Sequence, residues 1–172
     1  VGIAFVAARN RLCVVDGGAH RLTLFDLSGE LVGHLGGRGD RPGRFNFTTH
    51  VAAVGDRLIV SDSGNARVQI LDLDGDVIRT IGRRGDGAGD LALPKGVAVD
   101  SDGHVYVVDA RFENIQVFDA SGRLLLAVGR EGIDPGRFVL PAGLAIDRHD
   151  RIWVADAGNR RLQVLAYKKV SP

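Results

Sequence analysis

The sequence predicts an all-β repeat architecture, a propeller or related array of four-stranded antiparallel units, because three separate markers recur in one register of 46 to 47 residues. An Asp that ends a short apolar run returns at Asp16, Asp62, Asp109 and Asp156. An apolar residue followed by Gly returns at Leu35-Gly36, Ile81-Gly82 and Val128-Gly129. A Gly-x-Phe/Leu pattern returns at Gly43/Phe45, Gly89/Leu91 and Gly136/Phe138. Units of this size bury their apolar faces only against neighbouring units, so function is expected in loops on one face.

Each unit holds the same strand-like segments. In the third they start at Gly96, His104, Asn114 and Arg123, and are rich in Val, Ile and aromatic residues between Asp/Gly/Ser clusters. Ser101-Asp102-Gly103 joins the first two strands. Leu27-Ser28-Gly29, Leu73-Asp74-Gly75 and Ala120-Ser121-Gly122 join the last two in their units, each offering Gly where φ can be positive. Such turns join antiparallel neighbours, and no helix is required. The blades are expected at about 1–36, 50–82, 96–129 and 143–167, the last without its fourth strand, which makes about 3.75 blades.

The run Leu93-Pro94-Lys95-Gly96-Val97-Ala98-Val99-Asp100, continuing to Asp109, resembles the NHL repeat, as does Leu140-Pro141-Ala142-Gly143-Leu144-Ala145-Ile146-Asp147 with the segment from Ile152 to Leu165. The resemblance covers essentially the whole chain. It implies a β-propeller, usually of six blades, and a bacterial, extracytoplasmic setting in the periplasm or beyond. It departs at defined places: Asn65/Gln69 and Asn159/Gln163 correspond to Ala19/Thr23 in the first unit and Phe112/Gln116 in the third, and Thr48 replaces Pro94 and Pro141. Altered upper loops are expected there.

A six-bladed ring at this period needs roughly 280 residues, and an open arc would expose blade faces and a sheet edge. The chain, which has no Met, is therefore expected to be part of a larger six-bladed ring or of a ring closed by other chains, with homo-oligomers included. Its first strand and residues 162–167 are expected at contacts with other polypeptide.

Composition is that of an ordinary globular domain, with 45% hydrophobic and 25% charged residues and no apolar stretch long enough to span a membrane as a helix. Nineteen Arg against three Lys is the usage of a GC-rich, bacterial genome. The single Cys13 sits in a strand-like run and reads as a buried thiol. The net charge of +1 conceals polarity. The loops between second and third strands and between blades carry Arg38, Arg41, Arg44, Arg83, Arg84, Arg111, Arg130, Arg137 and Arg160, with Phe112, while the opposite loops are rich in Asp. These ten residues form the candidate binding face. Arg21, Arg67 and Arg161, five residues after a strand-ending Asp, are expected to pair with it, and Asp16, Asp62, Asp109 and Asp156 are expected to be structural turn residues.

Other motifs carry less. Asp72-Leu73-Asp74-Gly75-Asp76 has calcium-like spacing, yet the sister turns show that a hairpin alone needs this shape. Gly82-Arg83-Arg84-Gly85 lacks the Lys and helix of a phosphate-binding loop. No nucleophile, triad or cofactor motif stands out, and no cofactor is expected. The propeller lyases implied by the resemblance hold a metal in the central channel, for which His50 is the one weak candidate. RNA binding through the Arg face is a further alternative, disfavoured because stacking aromatics are scarce there, with only Phe112 evident. The leading expectation is a non-enzymatic protein-binding or assembly module that presents propeller loops to a partner; the alternatives are a channel-metal lyase or hydrolase and an RNA-binding domain.

Overall fold

A computed structural model describes residues 2–167. Fifteen strands follow one another in four antiparallel sheets, each in simple sequence order. The first blade is β1 (Ile3–Val6), β2 (Arg11–Asp16), β3 (Arg21–Phe25) and β4 (Leu31–Gly36). The second is β5 (Thr48–Val54), β6 (Arg57–Asp62), β7 (Arg67–Asp72) and β8 (Val77–Ile81). The third is β9 (Pro94–Val99), β10 (Val105–Asp109), β11 (Asn114–Phe118) and β12 (Leu124–Val128). The fourth, among the described residues, is β13 (Pro141–Ile146), β14 (Ile152–Asp156) and β15 (Arg161–Leu165). The innermost strands β1, β5, β9 and β13 pack beside one another in turn, which is a propeller arrangement.

The period-two alternation of each strand divides its side chains between two neighbours. Leu58, Val60 and Leu71 of the second blade pack on Cys13, Val15 and Leu22 of the first. Ile59, Val68 and Ile70, one residue out of phase, pack on Val97, Val105, Val107 and Phe118 of the third. Tyr106, Val108, Ile115 and Val117 in turn cover Ile152 and Val154 of the fourth. A plug closes each seam from above: Phe45, Leu91 and Phe138 are fully buried. Each lies against a Gly at the end of the preceding blade. A Cβ on Gly36, with φ near 93°, would come within 2.3 Å of the Phe45 ring, and Gly129 meets Phe138 in the same way. Only Gly combines that backbone with that approach.

The two ends of the arc break the pattern. Trp153, Leu162 and Val164 occupy the positions of Ile59, Val68 and Ile70 and of Tyr106, Ile115 and Val117. The six internal residues are at most 6% exposed, whereas Leu162 is 67% exposed and Trp153 and Val164 are also open to solvent. On the first blade, Ile3 and Phe5 are at least half exposed, and Leu12, Val14 and Phe25 are only partly covered. Val14 thus differs from its fully buried counterparts Val60, Val107 and Val154 because no blade lies behind it, on the preceding side, among the described residues.

Some boundaries differ from the sequence reading. The later blades begin at Thr48, Pro94 and Pro141, two residues earlier than expected, because these residues already pair with Asp62, Asp109 and Asp156 before a bulge shifts the register. Pro is tolerated there, at the first residue of an edge strand. Two short 3-10 turns, Ala7–Arg9 and Ser63–Asn65, occur where no helix was required. Replacing the seam plug, Phe138→Ala, is expected to cost about 3–5 kcal/mol in urea unfolding; an unchanged midpoint would mean that the seam does not hold the blades.

Candidate functional site on the upper loop face

Two blades share one polar clasp. Fully buried Asp62, the last residue of β6, accepts the Asn46 backbone N–H at 2.7 Å, the Arg67 Nε–H at 2.7 Å, the Asn65 amide at 2.8 Å and the Gln69 amide at 3.1 Å. Those donors also hold the preceding inter-blade loop. Asn65 donates to the Gly39 carbonyl, Arg67 to the Arg41 and Arg44 carbonyls, and Gln69 to Arg44 while accepting from the Gly43 N–H. Asp156 repeats the set with Val139, Asn159, Arg161 and Gln163, and the same three side chains reach Gly132, Ile133, Asp134 and Arg137. A buried carboxylate is tolerable only with such complete pairing. The first blade has a weaker version: Asp16 accepts the Ala19 N–H at 3.0 Å and lies 3.4 Å from Arg21, with both side chains partly exposed.

The third blade departs from this pattern. Asp109 is equally buried but is satisfied by backbone alone, from Ala92, Leu93, Arg111 and Phe112. Phe112 stands where the sister blades have Asn, and Asn114 where they have Arg. Only the Gln116 link to the Asp90 carbonyl survives, at 2.8 Å. The Gly85 carbonyl, counterpart of Gly39, receives no side-chain bond among the described residues. A cavity of about 540 Å³ opens there, lined by Arg84, Gly85, Asp86, Leu93, Arg111 and Phe112. Three of the ten residues of the expected binding face therefore converge.

The others are spread around the rim. Arg83 pairs with Asp90 at 3.0 Å, Arg137 lies 3.5 Å from Asp134, and Arg44 donates to the Gly36 carbonyl at 2.7 Å. Arg38, Arg41, Arg130 and Arg160 are exposed and separate. The sequence reading overlooked Phe47, which is 60% exposed at the upper end of β5, while Phe112 is only half exposed. Phe47 and its counterpart Leu140 both have positive φ, 48° and 46°, which turns bulky side chains outward at some conformational cost. The Phe47 N–H donates to His20 Nδ1 at 2.9 Å and its ring meets the imidazole edge-on. The repeat pairing of Phe47 with Leu93 and Leu140 could have revealed an apolar rim. A second hollow, of about 440 Å³, joins Phe47, Thr49, Ser63, Leu93 and Lys95.

His50 lies on the inner strand β5 at a position that is Gly in the other blades: Gly2, Gly96 and Gly143. Burial, then nearby positive charge including Lys95, push its pKa down to about 4, so the imidazole is neutral at pH 7. Its Nδ1 is buried without a hydrogen bond. Among the described residues no three His, Cys, Asp or Glu side chains gather to hold a metal. The acidic hairpins are occupied by their own backbone: Asp72 accepts the Asp74 and Asp76 N–H groups, and Asp74 pairs with Arg9 of the first blade at 2.8 Å.

A hollow of about 730 Å³ on the lower side includes Asp100, His104, Leu126, His149 and Tyr167. Asp100 accepts from His104 and from the Tyr106 hydroxyl, which also bonds the Tyr167 hydroxyl at 2.7 Å. This hollow and its apolar neighbour, lined by Tyr106, Ile115, Val117, Leu126 and Leu165, lie between β12 and β15, where the other blades have a fourth strand. Their shape is that of an uncovered sheet edge rather than of a closed reaction site.

The clasp yields a measurable consequence. Burial opposes ionisation of Asp156, yet the hydrogen bonds from Val139, Asn159, Arg161 and Gln163 hold its pKa below the usual carboxylate value. Its contribution is then fully present above the unfolded-state value near pH ~4 and is lost as pH falls through the lower folded-state value. Asp156→Asn, which removes the carboxylate from the clasp while half-buried Arg161 keeps its backbone carbonyl partners, is expected to cost about 1–3 kcal/mol at neutral pH. Urea unfolding at neutral and acidic pH checks both: the variant should lose less stability on acidification than the parent.

Residues 44–112 match the family model described as a 6-bladed beta-propeller, and residues 138–165 match that of the NHL repeat. No curated protein sequence matches the chain. Among solved structures it is similar to virginiamycin B lyase from Staphylococcus aureus, with 13% identity and a TM-score of 0.67 over 98% of this chain and 55% of that one. It is also similar to an auxiliary nutrient binding protein from Bacteroides thetaiotaomicron, with 15% identity and a TM-score of 0.68 over 95% and 47%. A WD40 beta propeller domain matches at 12% identity and a TM-score of 0.72 over 96% and 49%. The chain spans about half the length of these structures, which include an enzyme and binding proteins, so they share its fold and not one activity. With its blade topology and these matches, the chain is a β-propeller that carries an NHL repeat at residues 138–165, and a partial propeller of the six-bladed kind.

Proposed function

We propose that this chain is a non-enzymatic binding and assembly segment, whose two end faces dock further propeller blades and whose upper loops meet the partner. The observation that carries this reading is the apolar trailing face. Trp153, Leu162 and Val164 stand at positions that are buried in every internal blade, and Leu162 is 67% exposed. Large contiguous apolar surface on a folded domain marks an interface. The open edge of β15 and the apolar groove beside β12 support the same reading, since an unpaired strand edge invites strand addition. The end faces are suited to blades of the same protein or to a second copy. An extracytoplasmic setting belongs to this proposal, supported by the NHL resemblance; among the described residues no helix is long and apolar enough to cross a membrane.

Residues 1–172 produced alone are expected to associate, giving a light-scattering mass above 18.3 kDa. Trp153→Arg combined with Leu162→Arg should return the monomer mass without lowering the melting temperature, because neither side chain supports an internal seam. A wild-type chain that stays a monodisperse monomer, as stable as the variant, would remove the basis for the reading.

A further inference from the structure

We propose that the cavity on the upper face of the third blade is a binding site for a small oxyanion-bearing ligand. Arg84 and Arg111 hold its carboxylate or phosphoryl group, and Phe112 and Leu93 cover an attached apolar or aromatic part. The proposal extends the reading of the upper loops as the binding face and does not depend on the end faces.

The cavity replaces a structural device of the sister blades. In the second and fourth blades, Asn65 and Asn159 bridge the buried Asp to the Gly39 and Gly132 carbonyls, and Arg67 and Arg161 fill the space beside them. In the third, Phe112 and Asn114 provide neither bridge, and although Asp90, Ala92 and Leu93 remain bonded to β10 and β11, about 540 Å³ is left beside Arg84, Gly85 and Phe112, within the range of small-molecule sites. Both neighbouring blades are present around this cavity, so it is not a product of an uncovered end.

Charge also sets the third blade apart. Arg111 stands where the sister blades have Gly64 and Gly158, and Arg84 where they have Arg38 and Glu131. The third blade therefore brings two guanidinium groups to one cavity, an arrangement neither of the others has. Neither Arg forms an ion pair with a carboxylate among the described residues; Arg84 donates one hydrogen bond, to the Gly64 carbonyl at 2.8 Å. Asp86 is the one acidic group on the wall, and it is exposed. Two guanidinium groups, permanently charged and rich in planar donors, are matched by a carboxylate or phosphoryl oxygen set. The Phe112 ring, half covered, supplies the apolar surface that a bare inorganic ion would not use.

The test is a titration of the full protein, by calorimetry at low and physiological salt, with phenyl phosphate, benzoate and inorganic phosphate as probes. Saturable binding is expected for phenyl phosphate or benzoate, and the stronger of the two identifies the anionic group. Arg84→Gln and Arg111→Gln should each weaken it by about tenfold or more, while Arg57→Gln, at the exposed turn between β5 and β6 on the opposite face, should leave it unchanged. Phe112→Asn restores the side chain of the sister blades and should abolish binding while the melting temperature holds or rises. Absence of saturable binding for all three probes, or affinity unaffected by Arg84→Gln and Arg111→Gln, overturns the site. Equal affinity for inorganic and phenyl phosphate overturns the part assigned to Phe112.

Discussion

Face-to-face burial between successive blades is the constraint on which the rest of the molecule depends. A four-stranded sheet of this size cannot bury both of its apolar faces by itself, so each is covered by the next copy of the repeat. Leu58 and Val60 serve the seam behind, Ile59 and Val68 the seam in front, and Phe45, Leu91 and Phe138 close the seams from above. Fully burying one large aliphatic side chain stabilises by roughly 1.5–3 kcal/mol, so each seam outweighs any single surface ion pair in the structure. The same constraint makes the ends of the arc informative, because identical positions change from buried to exposed where the succession of blades stops.

The buried Asp clasps perform a second task, fixing each inter-blade loop to the blade that follows it. Where the clasp is complete, the loop is tied by three side chains to three or four backbone carbonyls, and there is little room for a ligand. Where the repeat replaces Asn and Arg by Phe112 and Asn114, the carboxylate is still satisfied by backbone amides, so the blade folds without the full clasp and a cavity is left beside Arg84 and Phe112. A repeat protein can in this way place a cavity on one blade while retaining the scaffold in the others.

Much of this was legible in the sequence because the markers that carried it are tied to backbone requirements. The spacing of Asp62, Asp109 and Asp156, and of the Gly before each seam plug, set the register, strand order and blade count. The departures at Phe112 and Thr48 indicated where loops would differ. Sequence reasoning could not give the convergence of Arg84, Arg111 and Phe112, since linear spacing does not say which of nine loop Arg residues share a cavity and which are used by nearby carboxylates or carbonyls. Phe47 was missed for a different reason: its exposure comes with a positive φ that its residue type does not suggest, although its repeat position beside Leu93 and Leu140 carries the apolar signal.

The chain has one tryptophan, and it lies on the trailing face, with its indole N–H donating to Asp147 at 3.0 Å and Arg151 over its ring. Its emission and its quenching by acrylamide therefore report directly on whether that face is an interface. In the protein assembled from its native source, the account expects a blue-shifted emission protected from acrylamide, and a red-shifted, readily quenched emission when Leu162→Arg keeps the face apart. A Trp153 that is as accessible in the native assembly as in the Leu162→Arg variant would contradict the claim that blade-to-blade burial continues beyond this segment.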